Sequence, residues 1–293
     1  MKKTKRMSWH DGSFRAAFYF CLIIGLVFTS FFTSNKGIAQ GNLLILPGRV
    51  VFEGTKKGQE LTLANTGADT AKYVVSVVQM RMKEDGSFEP ITTPDSGQYF
   101  ADKYLRIFPR TVSIAPNKSQ VVKLQLIKSP GMVQGEYRSH LYFRSVPSEA
   151  PLGQDAALKD SSAVTVRLTP IFGITIPAII RVGECSAKVI MGDLSIAKVN
   201  DTVTTVKMKF TRTGNASVYG DIAVDYTSPT GKVIRVAAIK GIAVYTPNTK
   251  RLFECNLENK PGVDYHKGKL HVLFTSPEDV KAKKLAEGEL LLR

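Results

Sequence analysis

Four histidines, three cysteines and a few spaced carboxylates are the residues of this 293-residue chain that could do chemistry. His266 and His271 are five apart, with no cysteine or paired carboxylate at ligand spacing, so they do not make a zinc set. His140 alternates outward with Arg138 along a strand pattern, and His10 lies in a basic N-terminal segment. Glu254 and Glu258 are four apart, a spacing that builds no cleft on a strand. There is no GxSxG elbow, no glycine-rich phosphate loop and no Cys-His arrangement suited to a nucleophile. Cys21 sits in an apolar N-terminal run, and Tyr19 and Phe20 before it do not form a lipoprotein box. Cys185 and Cys255 belong to no CxxC pair. In an exported chain they are either bridged or two separate thiols. The sequence therefore predicts no catalytic residue, no metal site, no cofactor and no small-molecule substrate. A chain without such a site works by contact.

The elements that would make those contacts are strands. With 43% hydrophobic and 22% charged residues the chain is globular, and its length suits two domains. The formal charge is +15; residues 1–39 hold six Lys/Arg against one Asp, leaving about ten positive charges on the rest. Those cations are scattered singly through strands, without a basic helix or an aromatic RNA-binding motif, which argues against nucleic acid. Lys2, Lys3, Lys5, Arg6 and Arg15 precede an apolar run over 16–32, and Gly37, Ile38 and Ala39 supply small residues before Gln40. This predicts a signal peptide over 1–39 and a periplasmic protein. The run of about 17 residues is at the short end for a membrane span, which leaves an uncleaved anchor as the alternative.

From residue 43 onward the pattern is period two with turn chemistry between runs. Val112 and Ile114 alternate with polar neighbours before a turn at Pro116 and Asn117. Val122, Leu124 and Leu126 follow, then a turn at Pro130 and Gly131. Next, Tyr137, Leu141 and Phe143 share one face, while Glu136, Arg138, His140 and Arg144 share the other. Upstream, Glu84, Asp85 and Gly86 read as a tight hairpin turn. The loop over 88–102 reads as irregular, and a long connection over 146–162 leads to a strand over 163–169. About seven strands without an amphipathic helix predict an immunoglobulin-like β-sandwich over 40–177. The segment 176–183 reads as an apolar hinge. Beyond it, over 178–293, TVKMKF places Val206, Met208 and Phe210 on one face, and YGDIAVDY, KVIRVAAI, IAVYT, KLHVLF and GELLL continue the rhythm. The expected fold class is all-β, with two immunoglobulin-like sandwiches in tandem.

The segments IFPRTVSIAPNKSQVVKLQL and GEYRSHLYFR together resemble the first domain of PapD-like periplasmic pilus chaperones. The resemblance covers most of the first domain. It implies a boomerang-like pair of sandwiches and a pilus or fimbrial subunit, or a similar incomplete sandwich, as partner. An outer-membrane usher is a further partner so implied. Such chaperones lend a strand to a subunit that lacks one. The resemblance also implies a basic pair that anchors the client's terminal carboxylate. Arg49, in GRVVF, matches its arginine; the alternative is an ordinary outward-facing strand residue. The lysine, counted five residues back from Pro177, falls on Phe172. Glu136 matches the interdomain acid, whereas the arginine expected before the proline is Ile176, with Arg181 as a displaced substitute. The donor strand implied is 163–169, where Val164, Val166 and Leu168 alternate with polar residues. The alternative is that these three fill the protein's own core. A structural or adhesive two-sandwich protein of the envelope, with no such client, is the competing reading.

Overall fold

In a computed structural model, which describes residues 43–127, 130–147, 171–199, 203–277 and 282–293, the alternation of apolar side chains becomes two layered cores. The leader over 1–39 and the strand expected over 163–169 lie outside the described residues. Residues Gly41–Arg293 form one compact unit.

The first sandwich is built from β1 (Leu43–Leu46), β2 (Val50–Phe52), β3 (Gly58–Asn65), β4 (Ala71–Val78), β5 (Met80–Met82), β6 (Phe88–Pro90), β7 (Leu105–Phe108), β8 (Thr111–Ile114), β9 (Ser119–Leu126), β10 (Gly135–Val146) and β11 (Gly173–Val182). One sheet runs β1-β3-β9-β7 and the other β2-β11-β10-β4-β8, while β5 and β6 form a separate hairpin. Val112, Ile114, Val122, Leu124, Leu126, Tyr137, Leu141 and Phe143 all point into the space between the sheets, as their alternation requires. The hairpin turns at Asp85 and Gly86, with Gly86 at φ 85°, a conformation glycine adopts without a Cβ clash. Part of the loop expected to be irregular is therefore strand β6.

The second sandwich contains β12 (Ala187–Val199), β13 (Val203–Gly214), β14 (Val218–Thr227), β15 (Val233–Val244), β16 (Lys250–Asn256), β17 (Gly268–Thr275) and β18 (Lys284–Leu292). Its sheets run β12-β13-β16 and β15-β14-β17-β18. Val206, Met208 and Phe210 enter its core beside Val224, Tyr226, Val272 and Phe274. The segments KVIRVAAI and IAVYT, expected as two strands, are carried largely by one, β15, which absorbs register shifts against β14. Strands β12 and β16 escaped the sequence reading because neither shows clean alternation. Along β16 no residue is fully buried.

One expectation is corrected. The hinge over 176–183, and with it the boundary at Pro177, falls inside β11, which pairs with β10 from Gly173↔Arg144 to Val182↔Gly135. Pro177 sits opposite His140, and Ile176 and Ala178 on either side of it are buried in the first core. An apolar stretch that looks like a linker is thus a strand covered on both faces. The strands of the first sandwich end at Val182 and those of the second begin at Ala187. Asn215 holds the passage between them, accepting from Ser186 N and donating to Glu184 O at 2.9 and 3.0 Å.

Candidate functional site

Arg49 owes its position to a switch between sheets. Strand β1 pairs antiparallel with β3, but after Pro47 and Gly48 the chain crosses over, and β2 pairs parallel with β11, Val50↔Ala178 to Phe52↔Ile180. Pro47 carries no N–H to continue the first ladder. Arg49 is the last residue before the new ladder begins, level with Pro177 one strand across.

On β2, β11 and β10, alternate residues face away from the first core. The registers place them in rows: Glu53, Arg181 and Glu136; then Val51, Ile179 and Arg138; then Arg49, Pro177 and His140. The sequence assigned this face of β10 to solvent. The structure covers most of it, Glu136 and Arg138 by the second sandwich and His140 by Phe88 and Tyr245, so that all three are at most 3% exposed while Arg144 stays exposed. A small apolar cluster of Met82, Ile179, Ala243 and Tyr245, with Val51 and Tyr219 against it, fills the contact. From the first sandwich's hairpin, Glu84 O accepts from Leu252 N at 2.7 Å, on the edge of β16.

Glu136 joins the two sandwiches. Its carboxylate accepts from Ser217 N at 3.0 Å, from Ser217 Oγ, and from Arg181 Nε at 3.3 Å. Arg181 also donates to Glu53 at 3.2 Å and to the Ser217 carbonyl at 3.4 Å. The arginine beside Glu136 is therefore Arg181, not the residue at 176. Ile176 belongs to the first core. The loop that presents Ser217 is shaped by buried Arg212, which donates to the carbonyls of Asn248, Gly214 and Ala216 at 2.7–2.9 Å.

Arg49 and Arg138 are placed differently, because among the described residues neither forms an ion pair with a carboxylate. The Arg49 guanidinium stands 4.4 Å from the centre of the Tyr219 ring and 6.0 Å from that of Tyr245. The Arg138 guanidinium stands 4.5 Å from the Tyr245 ring, and its Nη2 donates to Thr246 O at 3.3 Å. Cation–π contact contributes about 0.5–2 kcal/mol each. On both arginines, Nε and Nη1 are buried with no hydrogen-bond partner among the described residues, as is Nδ1 of His140. A buried donor left so costs about 1–3 kcal/mol. Burial pulls both guanidiniums below their ordinary pKa, yet an arginine stays charged in a protein. Burial, and then the charge of Arg138, push the His140 imidazole down to about 3, so it is neutral. Neither position counted for the lysine of the implied basic pair holds a basic residue. Phe172 is half-exposed, and the same position counted from Arg181 is Pro177.

Among the described residues the edge beside Arg49 is open. Strand β2 covers β11 only over Ala178, Ile179 and Ile180, so among the described residues 173–176 pair with β10 on one side and with nothing on the other. This edge runs directly up to Arg49. Val164, Val166 and Leu168 lie outside the described residues. Cys185 and Cys255 are free thiols, so the bridge, one of the two alternatives, is not formed. Arg138, Tyr219, Tyr245 and Ser217 were missed by the sequence reading. The one signal for Arg138 was the alternation of Glu, Arg and His along β10, which also describes a solvated face.

No family model matches the chain, and no curated protein matches it. Among solved structures it is similar to the YadV chaperone at 14% identity, covering 86% of this chain and 100% of that one, with a TM-score of 0.42. A chain of the CsuC–CsuE chaperone–tip adhesion subunit pre-assembly complex of Acinetobacter baumannii is similar at 12% identity, covering 84% and 98%, with a TM-score of 0.43. A chain of the complex of Salmonella enterica SafA pilin with the SafB chaperone is similar at 14% identity, covering 85% and 96%, with a TM-score of 0.39. Each of these three structures contains a chaperone, the second together with a tip adhesion subunit and the third with a pilin.

Proposed function

We propose that this protein is a periplasmic chaperone that captures an exported pilus subunit, or a similar incomplete sandwich, by strand addition, anchoring its terminal carboxylate at Arg49. The observation that carries the reading is the Arg49 guanidinium, whose Nε and Nη1 are buried without a partner among the described residues, at the end of a strand edge that is unpaired among those residues. A client strand laid along 173–176 takes the lane that β2 occupies farther on. If it runs parallel to β11, its last residue arrives at Arg49, where a carboxylate accepts charge-assisted bonds. Main-chain bonds along the edge supply affinity without demanding a particular client sequence. Residues 163–169 precede this edge in the chain, and Val164, Val166 and Leu168 extend the donor segment in the same reading. An usher is the partner to which such a complex would pass its subunit.

The test is co-purification of the tagged mature protein from envelope extract, with the captured protein identified by mass spectrometry. Arg49→Ala, with circular dichroism unchanged, is expected to lose the captured subunit. Undiminished capture by the folded variant would remove the anchor, and a wild-type protein that holds no incomplete sandwich would favour the structural or adhesive reading.

A further inference from the structure

The sheet β1-β3-β9-β7 turns one face into the first core. Its other face lies on the side of the first sandwich opposite β2, β10 and β11, which meet the second sandwich. The registers set the outward side chains in rows: Leu46, Thr62 and Val121; then Glu60, Lys123 and Phe108; then Gly58, Gln125 and Arg106. A face turned to water normally carries polar residues. Here Leu44, Leu46, Val121 and Phe108 are between 40% and 76% exposed, Phe108 the most. The charges on this face are as uneven as its polarity. Lys57, Arg106, Arg110 and Lys123 line one shallow hollow beside Phe108, with Glu60 as its single carboxylate. Glu60 pairs with Lys123 at 3.4 Å, and the other three cations form no ion pair among the described residues. On the outward faces of the second sandwich, by contrast, Arg235 is matched by Asp225, Lys207 by Glu254 and Lys269 by Glu289. A protein partner anchors by filling well-packed pockets, whereas these apolar groups project singly from a sheet. The boundary of a bilayer accepts projecting side chains without matching their shape. Lys and Arg lay their stems along such a boundary and leave the charge among the headgroup phosphates.

We propose that the outer face of β1-β3-β9-β7 is a docking surface for an anionic lipid bilayer. Phe108 and Leu46 enter the acyl boundary, and Lys57, Arg106 and Arg110 meet the headgroup phosphates. Arg49 and the second sandwich lie on the other side of the first sandwich, so docking leaves them uncovered. The inference is independent of whether Arg49 holds a carboxylate.

The test uses the chain from Gln40 onward, since Gly41–Arg293 form one compact unit and the apolar run over 16–32 would enter a membrane by itself. That chain contains no tryptophan, because Trp9 is the only one in the sequence. Phe108→Trp therefore places a single indole on the face. With vesicles of equal parts phosphatidylglycerol and phosphatidylcholine, its emission is expected to shift to the blue and to be quenched by brominated lipid; with phosphatidylcholine alone it should stay unshifted. Ile190→Trp, at a position of similar exposure on β12 of the second sandwich, should not shift with either. Co-sedimentation with the anionic vesicles gives the magnitude. A cation near an anionic surface contributes about fivefold to partitioning, so Arg106→Gln combined with Arg110→Gln should weaken binding by about 25-fold. Lys207→Gln combined with Lys269→Gln, which removes the same charge from the second sandwich, should weaken it far less. No shift in the Phe108→Trp protein with the anionic vesicles overturns the proposal and leaves the face to an acidic protein. Equal losses from the two double variants overturn it as well, because binding would then follow net charge alone. If the arginine double variant does not fold, the indole at the exposed position 108 decides by itself.

Discussion

Replacing Glu136 by alanine should uncouple the two sandwiches. The carboxylate is 2% exposed and receives three donors, Ser217 N at 3.0 Å, Ser217 Oγ and Arg181 Nε at 3.3 Å. Hydrogen bonds to a charged group contribute about 1.5–3 kcal/mol each, so three would suggest a large loss. Two of the donor groups keep other partners, however. Ser217 Oγ still accepts from Thr246 N at 3.1 Å, and Arg181 still reaches Glu53 and the Ser217 carbonyl. The donors left without an acceptor are the Ser217 amide and the Ser217 hydroxyl. The loss should therefore be about 2–6 kcal/mol, about 1–3 for each buried donor left without an acceptor, since Arg181 keeps a carboxylate partner. Urea unfolding followed by circular dichroism measures it, since the sole tryptophan, Trp9, lies in the leader. Glu136→Gln, which keeps an acceptor for Ser217 but not the charge, should cost roughly half as much. Because the broken contacts lie between the sandwiches, the alanine variant should also unfold in two steps. A single transition displaced by less than about 1 kcal/mol would refute the idea that this carboxylate holds the halves together.

Peptide mapping of the unfolded, unreduced protein should find Cys185 and Cys255 both labelled; in the folded protein Cys255 should react slowly, since burial pushes its thiol up to about 11. His140 should make acid destabilising: its folded pKa of about 3 lies below the unfolded value near 6.5, so the unfolded chain binds the extra proton between them. Its contribution is complete above pH ~6.5 and falls by about 1.4 kcal/mol per pH unit toward pH 3, a slope that His140→Gln should lack in paired melts. Val166→Asp should leave the circular dichroism of the first sandwich intact while abolishing client capture. Unfolding instead would place Val166 in the core, and normal capture would remove it from the donor segment.

Period-two alternation alone determined that this chain would be all-β. Wherever a strand has one face in the core and the other toward water, the side chains record it, as in β9, where Val122, Leu124 and Leu126 turn inward and Lys123 and Gln125 outward. The Asp85 and Gly86 hairpin was equally legible, because a turn's backbone demands are local. Where both faces are covered, the pattern stops reporting. Strand β11 read as a hinge because Ile176, Ala178, Ile179 and Ile180 show no alternation, and Pro177 looked like punctuation. Strand β10 read as half-solvated because Glu136, Arg138 and His140 are polar, although all three are buried, Glu136 and Arg138 against the second sandwich and His140 between Phe88 of the β5–β6 hairpin and Tyr245. No local signal says what will lie on top of a strand. That depends on how Ser217, Tyr219 and Tyr245, about eighty to a hundred residues later in the chain, come to rest. Arg49 could be singled out from its motif, but its unpartnered nitrogens and the open edge beside it exist only because strands distant in sequence share one sheet. Sequence chemistry names which groups are charged; the tertiary structure decides which of them are left without a partner.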